Sequence, residues 1–465
     1  MSFKPILVLS TLCLSSIGSF AFSSSLAMAL DSKTLTSDLC FSSRTSTSCI
    51  TKQKPSTQAM SYVDGLSADY QPVASGDSTM YSEFSPFLEV QSWPGLFLRE
   101  TSDNDNQVAI FNQASQFTSG NGPVFDVALF ADNIRSLLDG NTAGYAYAIT
   151  KGGVLATQGA GGKLRKAGEG NINQSATKRQ NIASISKMIT AVAVLKLMDQ
   201  LNLELDDKIA PYLPQSWNLG SNVEDLTFEH LLRHRTGFIS QNNDFWNTLS
   251  WNGLSTMVAA GANPGASFNY LNANFALFRF IIPAMWKEAG APYPIYTENG
   301  TAAAFWYIFY MQENLFKPIG INMAQCMDPS ASTEALYYDP AAALNGVPGG
   351  DWNMICGSGG WVLSANDLVN FMTHYSHDNN YLSKPMRDLM MANQLGVYKT
   401  TGSYGDYFSH SGVIGWGGGQ GMVMCAMRYS ISVEAAVLVN SGVNGIAGSD
   451  FCNTVLRDTF DAAWQ

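Results

Sequence analysis

Ser184-Ile185-Ser186-Lys187 opens the run Met188-Ile189-Thr190-Ala191-Val192-Ala193-Val194-Leu195-Lys196-Leu197-Met198. On a helix, residues three apart share a face, so the Ser184 hydroxyl and the Lys187 amine meet within one turn. A serine hydroxyl is a weak nucleophile until a neighbouring base takes its proton. A lysine becomes that base when burial and the positive end of a helix lower its pKa. The run behind the pair is apolar almost all round, which predicts a buried helix that holds both groups rigidly. A chain this long should contain S-x-x-K about once or twice by chance. Ser175 and Lys178 form such a second copy, but Asn173-Gln174-Ser175-Ala176-Thr177-Lys178-Arg179 is polar and reads as a loop.

Working outward, 125–139 carries apolar residues at helical spacing (Val127, Phe130, Ile134, Leu137, Leu138), and Gly140 can end the helix. Tyr145 to Thr150, the turn Lys151-Gly152-Gly153 and Val154 to Thr157 read as a β-hairpin. From 202 to about 390 the pattern is mainly helical with long loops. Ser364-Ala365-Asn366-Asp367 resembles a capping box for a helix reaching His374. Strand-like runs return from Tyr407 onward, at 423–427 and 432–439, and a last helix covers 449–463. Helix, hairpin, helical middle, strands and helix predict an α/β (α+β) fold. Its antiparallel sheet is formed by both chain ends and flanked by helices, with an inserted, mainly helical lobe. A site between sheet and lobe would lie in a cleft.

Of the 465 residues 46% are hydrophobic and 14% charged, and the net charge is −11. No basic stripe occurs, which argues against nucleic acid as a partner. An anionic membrane surface would repel such a chain. Residues 1–29 read as a secretory signal: Lys4, an apolar and small-residue stretch over 6–22, and Ala27-Met28-Ala29 before a cleavage point. The expectation is an exported protein, periplasmic or secreted, with no stable membrane insertion after signal removal. The apolar stretch 275–286 is interrupted by Arg279 and Pro283. Residues 30–124, rich in Ser, Thr and Asp in their first two-thirds, read as an N-terminal arm, and 125–463 as the main domain.

Signal removal takes Cys13 and leaves Cys40, Cys49, Cys326, Cys356, Cys425 and Cys452, an even set that permits disulfides in an oxidising compartment. Cys40 and Cys49 could close a small loop, and Cys425 and Cys452 could staple a strand to the last helix. Buried free thiols are the alternative. No C-x-x-C occurs. His230 and His234 are four apart but lack the Glu of a metalloprotease helix, and Arg233 lies between them. His374 and His377 suit a helix end. No metal site is expected from either pair.

Tyr270-Leu271-Asn272 follows the turn Asn263-Pro264-Gly265 and precedes an apolar helix. A Tyr hydroxyl held near a cation can act as a phenolate-like base or relay, and the Asn amide can bind both Lys187 and a substrate carbonyl. His410-Ser411-Gly412 is followed by Val413-Ile414 and the run Gly415-Trp416-Gly417-Gly418-Gly419. This reads as an edge strand whose small residues let a substrate lie alongside. The backbone N–H groups of Ser184 and Val413 could form an oxyanion hole.

In this order, S-x-x-K, Y-x-N and H-S-G resemble the serine β-lactamase and DD-peptidase superfamily, in particular its class C-like branch that includes esterases and D-amino-acid peptidases. The segment from Leu226 to Gly237 is similar to that family's HLL.H.SG stretch, and Asn202 to Asp207, Pro211 to Pro214 and Gly357-Ser358-Gly359-Gly360 also fit. The resemblance covers about 125–463. It implies a β-lactamase/transpeptidase-like fold, no cofactor, and a small-molecule or peptide ester or amide as substrate. It implies Ser184 as the acylated nucleophile, Lys187 as proton acceptor and Tyr270 as the partner base that activates the deacylating water. Asn272, His410, Ser411 and Gly412 would contact substrate, His410 at the cationic position of the third motif. Two departures stand out. His410 replaces the Lys typical of class C β-lactamases, which looks more like the peptidases and esterases. Leu271 is bulkier than the usual middle residue and could narrow the cleft. The expected function is an exported hydrolase acting through an acyl-enzyme, with a β-lactamase as one alternative and a non-catalytic scaffold as another.

Overall fold

The structure, a computed structural model, describes residues 122–240, 248–328, 334–415 and 421–465, together with the short strands at 39–42, 47–50 and 71–72. The expected signal at 1–29, most of the arm at 30–124 and positions 416–420 of the glycine-rich run lie outside the described residues. The chain divides into two units, Met1–Pro94 and Gly95–Gln465. In the first unit, Leu39–Ser42 pairs antiparallel with Thr47–Ile50, with Cys40 opposite Cys49, and with Gln71–Pro72.

The described part of the second unit opens with α1 (Val127–Leu138), whose first turn is capped by Asp126 accepting from the Ala128 and Leu129 N–H groups. The hairpin follows as β1 (Gly144–Lys151) and β2 (Val154–Arg165), then β3 (Ile172–Asn173). Next come α2 (Ser186–Leu201), α3 (Phe228–Leu232), α4 (Trp251–Ala260), α5 (Asn272–Ala276), α6 (Phe278–Glu288) and α7 (Gly300–Met311). After them run α8 (Ala365–His377), α9 (Lys384–Asn393), β4 (Tyr398–Gly402), β5 (Gly405–Ile414), β6 (Met422–Tyr429) and β7 (Val433–Val439). The sheet order is β4-β5-β6-β7-β1-β2-β3, antiparallel throughout. The pairing of β7 with β1, Val433 opposite Lys151 through Val439 opposite Tyr145, joins the two chain ends in one sheet.

Strands β6 and β7 are buried along almost their whole lengths, because helices cover both faces. On one face Phe130, Ile134 and Leu138 of α1 pack with Val455, Leu456 and Phe460 of the C-terminal helical segment against Tyr145, Tyr147, Val437 and Tyr429. Phe460 stacks on Tyr429 at 3.9 Å between ring centroids. The disulfide between Cys425 of β6 and Cys452 fastens this layer to the sheet. A second disulfide, Cys326–Cys356, was not foreseen from the spacing. On the other face α8 starts from the Ser364–Asp367 capping box and brings His377 to Glu434 of β7 at 2.8 Å.

Strand β4 is missed by the sequence pattern, since Tyr398-Lys399-Thr400-Thr401-Gly402 lacks an apolar alternation. It makes β5 an internal strand as far as Ser409, which pairs with Tyr398. From His410 to Ile414 the pairing with β4 has ended and that side of β5 is an edge, as expected for the H-S-G stretch.

Candidate active site

The segment that carries Ser184 starts strained. Ala183 sits at φ 48°, a left-handed conformation unfavourable for a residue with a side chain, held by its N–H to Asn181 Oδ1 at 2.8 Å. Ala183–Ile185 then form one 3₁₀ turn ahead of α2. Ser184 lies in that turn and Lys187 in the first turn of α2, so the pair spans the junction between them. Lys187 Nζ lies 3.0 Å from Ser184 Oγ.

Lys187 is fully buried. Its amine also donates to Asn272 Oδ1 at 2.7 Å and to the Ser358 carbonyl at 2.5 Å. Burial drives its pKa well below the usual lysine value, and none of the three polar atoms it touches is a carboxylate that would oppose the shift. A neutral amine has two N–H groups and one lone pair. In that neutral form, with Asn272 and Ser358 accepting the two N–H groups, the lone pair would face the Ser184 hydroxyl. Ser358 belongs to a strap held on α2 by Thr190 donating to the Gly357 carbonyl (2.8 Å) and the Trp361 N–H donating to Ser186 Oγ (3.2 Å). The Cys326–Cys356 disulfide ties the start of that strap.

From the helical lobe, Tyr270 donates to Ser184 Oγ at 2.8 Å. Tyr270 is 40% exposed, but its hydroxyl end turns inward, and burial pushes its pKa up to about 12. The resting group is therefore a phenol that donates to Ser184. Leu271 is half-buried at the N-terminus of α5.

His234 clamps this loop. Its carbonyl accepts from the Asn269 N–H (2.9 Å) and its Nδ1 from the Leu271 N–H (3.2 Å), so both neighbours of Tyr270 are fixed by one residue. Its ring also packs on the Tyr270 ring at 4.6 Å. Burial, with Lys187 nearby, holds it neutral, with a pKa of about 3. His230 instead turns back to cap α3 through Thr227, so the two histidines do not share a ligand. Among the described residues no group of three His, Cys, Asp or Glu side chains is arranged for a metal.

Strand β5 closes the site. Gly412 is required by close approach: a Cβ there would come within 2.6 Å of the Ile182 carbonyl and 3.0 Å of Ala183 Cβ. Its face of β5 thus lies on the nucleophile segment, and His410, two residues before, shares that face. His410 is 2% exposed, packs on Tyr398 at 5.2 Å and points Nδ1 at the Ser411 carbonyl (2.6 Å). Burial, then Lys187, lower its pKa to about 3, so the resting His410 is neutral. Its Nε2 is buried without a partner among the described residues. Ser411 is half-buried and Val413 is exposed, on the stretch of β5 that β4 leaves uncovered.

Ser184, Lys187, Tyr270 and Asn272 are thus linked by direct hydrogen bonds, with His410 and Gly412 on the strand beside them. Three features were not legible in the motifs: the Ser358 carbonyl, the His234 clamp and the Tyr398 ring. The glycine-flanked Ser358 and the HLL.H.SG histidine lay inside stretches singled out for other reasons; Tyr398 carried no signal.

The family model described as Beta-lactamase matches residues 130–451. Protein flp of Staphylococcus aureus is 28% identical over 130 residues, which is 26% of this chain and 26% of flp. The chain thus spans about a quarter of the length of the curated relatives it matches. Among solved structures, the octameric penicillin-binding protein homologue from Pyrococcus abyssi superimposes with TM-score 0.54 at 20% identity, covering 71% of this chain and 77% of that one. FmtA from Staphylococcus aureus gives 0.54 at 15%, covering 77% and 97%. A D-stereospecific amidohydrolase from Streptomyces gives 0.53 at 18%, covering 72% and 99%. At these identities the likeness is one of fold: an antiparallel sheet flanked by helices.

Proposed function

Since this chain belongs to the Beta-lactamase family, we propose that it is an exported serine hydrolase that cleaves an ester or a D-amino-acid amide through an acyl-enzyme on Ser184. The observation that carries this is Ser184 Oγ seated between Lys187 Nζ at 3.0 Å and the Tyr270 hydroxyl at 2.8 Å. The Ser184 proton passes to the Lys187 lone pair as Oγ bonds to the substrate carbonyl carbon. The resulting oxyanion lies against the Ser184 and Val413 N–H groups at the open edge of β5. Collapse breaks the bond to the leaving group, which takes a proton from Tyr270, and Lys187 returns its proton to Tyr270. Water then attacks the acyl carbon, its proton follows the same route in reverse, and Ser184 is regenerated. Asn272 fixes Lys187 through Oδ1 and keeps its amide N–H groups for the substrate carbonyl.

The amidohydrolase likeness supports a D-amino-acid substrate, and neutral His410 in place of a lysine favours an uncharged contact at the third motif over β-lactam carboxylate capture. Export rests on the residues at 1–29 and on the two disulfides among the described residues, which persist in oxidising compartments. A fluorophosphonate probe tests the proposal. Labelling that maps to Ser184 and disappears in Ser184→Ala supports it; an unlabelled, folded wild-type chain would leave the non-catalytic scaffold as the better description.

A further inference from the structure

A cleft of about 520 Å³ opens beside Tyr270 and His410. One wall is the segment from Leu232 to Arg235, another is Phe268, and the far wall is Gln394, Gly396 and Tyr398. Two of its lining rings pack directly on residues of the candidate site. His234 packs on Tyr270 at 4.6 Å, and Tyr398 packs on His410 at 5.2 Å. The far wall is seated on the nucleophile helix itself. Gly396, at φ +65°, approaches so closely that a Cβ would lie 2.7 Å from Ala191 Cβ and 2.9 Å from the Lys187 carbonyl. Cleft and catalytic pair are therefore parts of one rigid construction.

Its charge runs against that of the chain. The molecule carries −11, yet among the described residues no carboxylate lines this cleft and two arginines do. Arg233 and Arg235 occupy the two open positions of the HLL.H.SG stretch, on either side of His234. Arg233 is paired with Glu229. Arg235 donates Nε to the Ala266 carbonyl at 3.1 Å, and its two Nη groups have no acceptor among the described residues. A guanidinium anchored by Nε presents its outer fork in a fixed direction, the arrangement that recognises a carboxylate with paired hydrogen bonds. Phe268, 57% exposed, adds an apolar surface beside it.

We infer that this cleft is a subsite for a carboxylate-bearing portion of the substrate, with Arg235 as its anion-binding side chain and Phe268 and Tyr398 contacting the carbon chain that links the carboxylate to the scissile bond. The inference rests on the hydrolase function proposed above and names the class of substrate that site takes: an ester or amide with a second, anionic group a few carbons away.

The experiment compares p-nitrophenyl butyrate with the p-nitrophenyl monoesters of succinic and glutaric acid, in wild type and in Arg235→Gln and Arg235→Lys. Wild type should favour the charged esters in kcat/KM. The charged-to-neutral ratio should drop about tenfold or more in Arg235→Gln, the size of a lost hydrogen bond to a charged group, and be partly kept in Arg235→Lys. A wild-type ratio near one, or a ratio that does not move in Arg235→Gln, overturns the inference. A second readout is independent of turnover: glutarate should raise the melting temperature of wild type but not of Arg235→Gln, while neutral glutaramide should do neither. If no ester is turned over but glutarate stabilises in an Arg235-dependent way, the subsite stands and the hydrolase proposal fails. If esters are cleaved without charge preference and glutarate has no effect, the subsite fails alone.

Discussion

Replacing Lys187 by Met removes the amine while keeping an unbranched stem of similar volume in a fully buried slot. Two consequences separate. Structurally, Asn272 Oδ1 and the Ser358 carbonyl lose a donor, at about 1–3 kcal/mol for each buried acceptor left unpaired. Against this, the cost of burying an amine disappears, so the net change in stability should stay within about 3 kcal/mol. Chemically, Ser184 loses its proton acceptor. General-base catalysis contributes about 10²–10⁴ in rate, or roughly 3–5 kcal/mol of barrier. Tyr270 cannot substitute, because its pKa of about 12 leaves it a phenol at neutral pH. The assay is the single-turnover rate of Ser184 acylation by an activated ester, with thermal unfolding as the folding control. A folded Lys187→Met that acylates within tenfold of wild type would refute the assignment of the base.

Further predictions concern the surroundings of the pair. Tyr270→Phe should slow substrates with poor leaving groups, such as anilides, far more than p-nitrophenyl esters, which leave without a proton; equal losses on both would contradict its donor role. His234→Ala should lower kcat more than it lowers the melting temperature would suggest, since it frees the backbone on both sides of Tyr270, and His234→Gln, which keeps an acceptor, should recover part of the rate. His234 and His410 are buried neutral with pKa values of about 3 against 6.5 when unfolded, so the unfolded chain takes up protons first as pH falls. Their stabilisation is complete above about pH 6.5 and lost towards pH 3. At pH 5.5 each contributes about 1.4 kcal/mol less than at pH 7.5, so denaturant unfolding should show about 3 kcal/mol of acid destabilisation, reduced by half in His410→Gln. Reducing the disulfides, which close spans of 30 and 27 residues, should cost about 2–4 kcal/mol each by unfolding in denaturant, and the Cys326–Cys356 bridge should also affect turnover because it ties the Ser358 strap.

The parts of the site legible in sequence are those where a side chain's type and its spacing both report on chemistry. Ser184 and Lys187 are three apart at the head of an apolar run, and helical geometry alone brings them together. The sheet built from both chain ends followed from where strand-like and helical runs alternate, and Cys425 and Cys452 could be paired because each fell in a recognisable element. What escaped is carried by backbone or by burial. The acceptor from Ser358 is a carbonyl, which every residue possesses. The left-handed Ala183 has no signature, since alanine rarely marks positive φ. The neutrality of His410 comes from enclosure by residues far away in sequence, so a motif could name the position but not its charge. Strand β4 alternates half-buried Tyr398, Thr400 and Gly402 with exposed Lys399 and Thr401, without an aliphatic residue, and its Tyr398 ring became visible as a wall of the site through its packing on His410. Arg233 was considered only in relation to metal and Arg235 only as part of the HLL.H.SG stretch; the far wall of their cleft comes from α9 to β4, nearly 160 residues away.

Intact-mass spectrometry of the protein quenched in acid during turnover of an activated ester is the most direct test. A mass increase equal to the acyl group, localised by peptide mapping to the peptide containing Ser184 and absent in Ser184→Ala, is expected. An enzyme that turns the ester over with no adduct at Ser184, or with the adduct on another residue, would contradict the covalent mechanism.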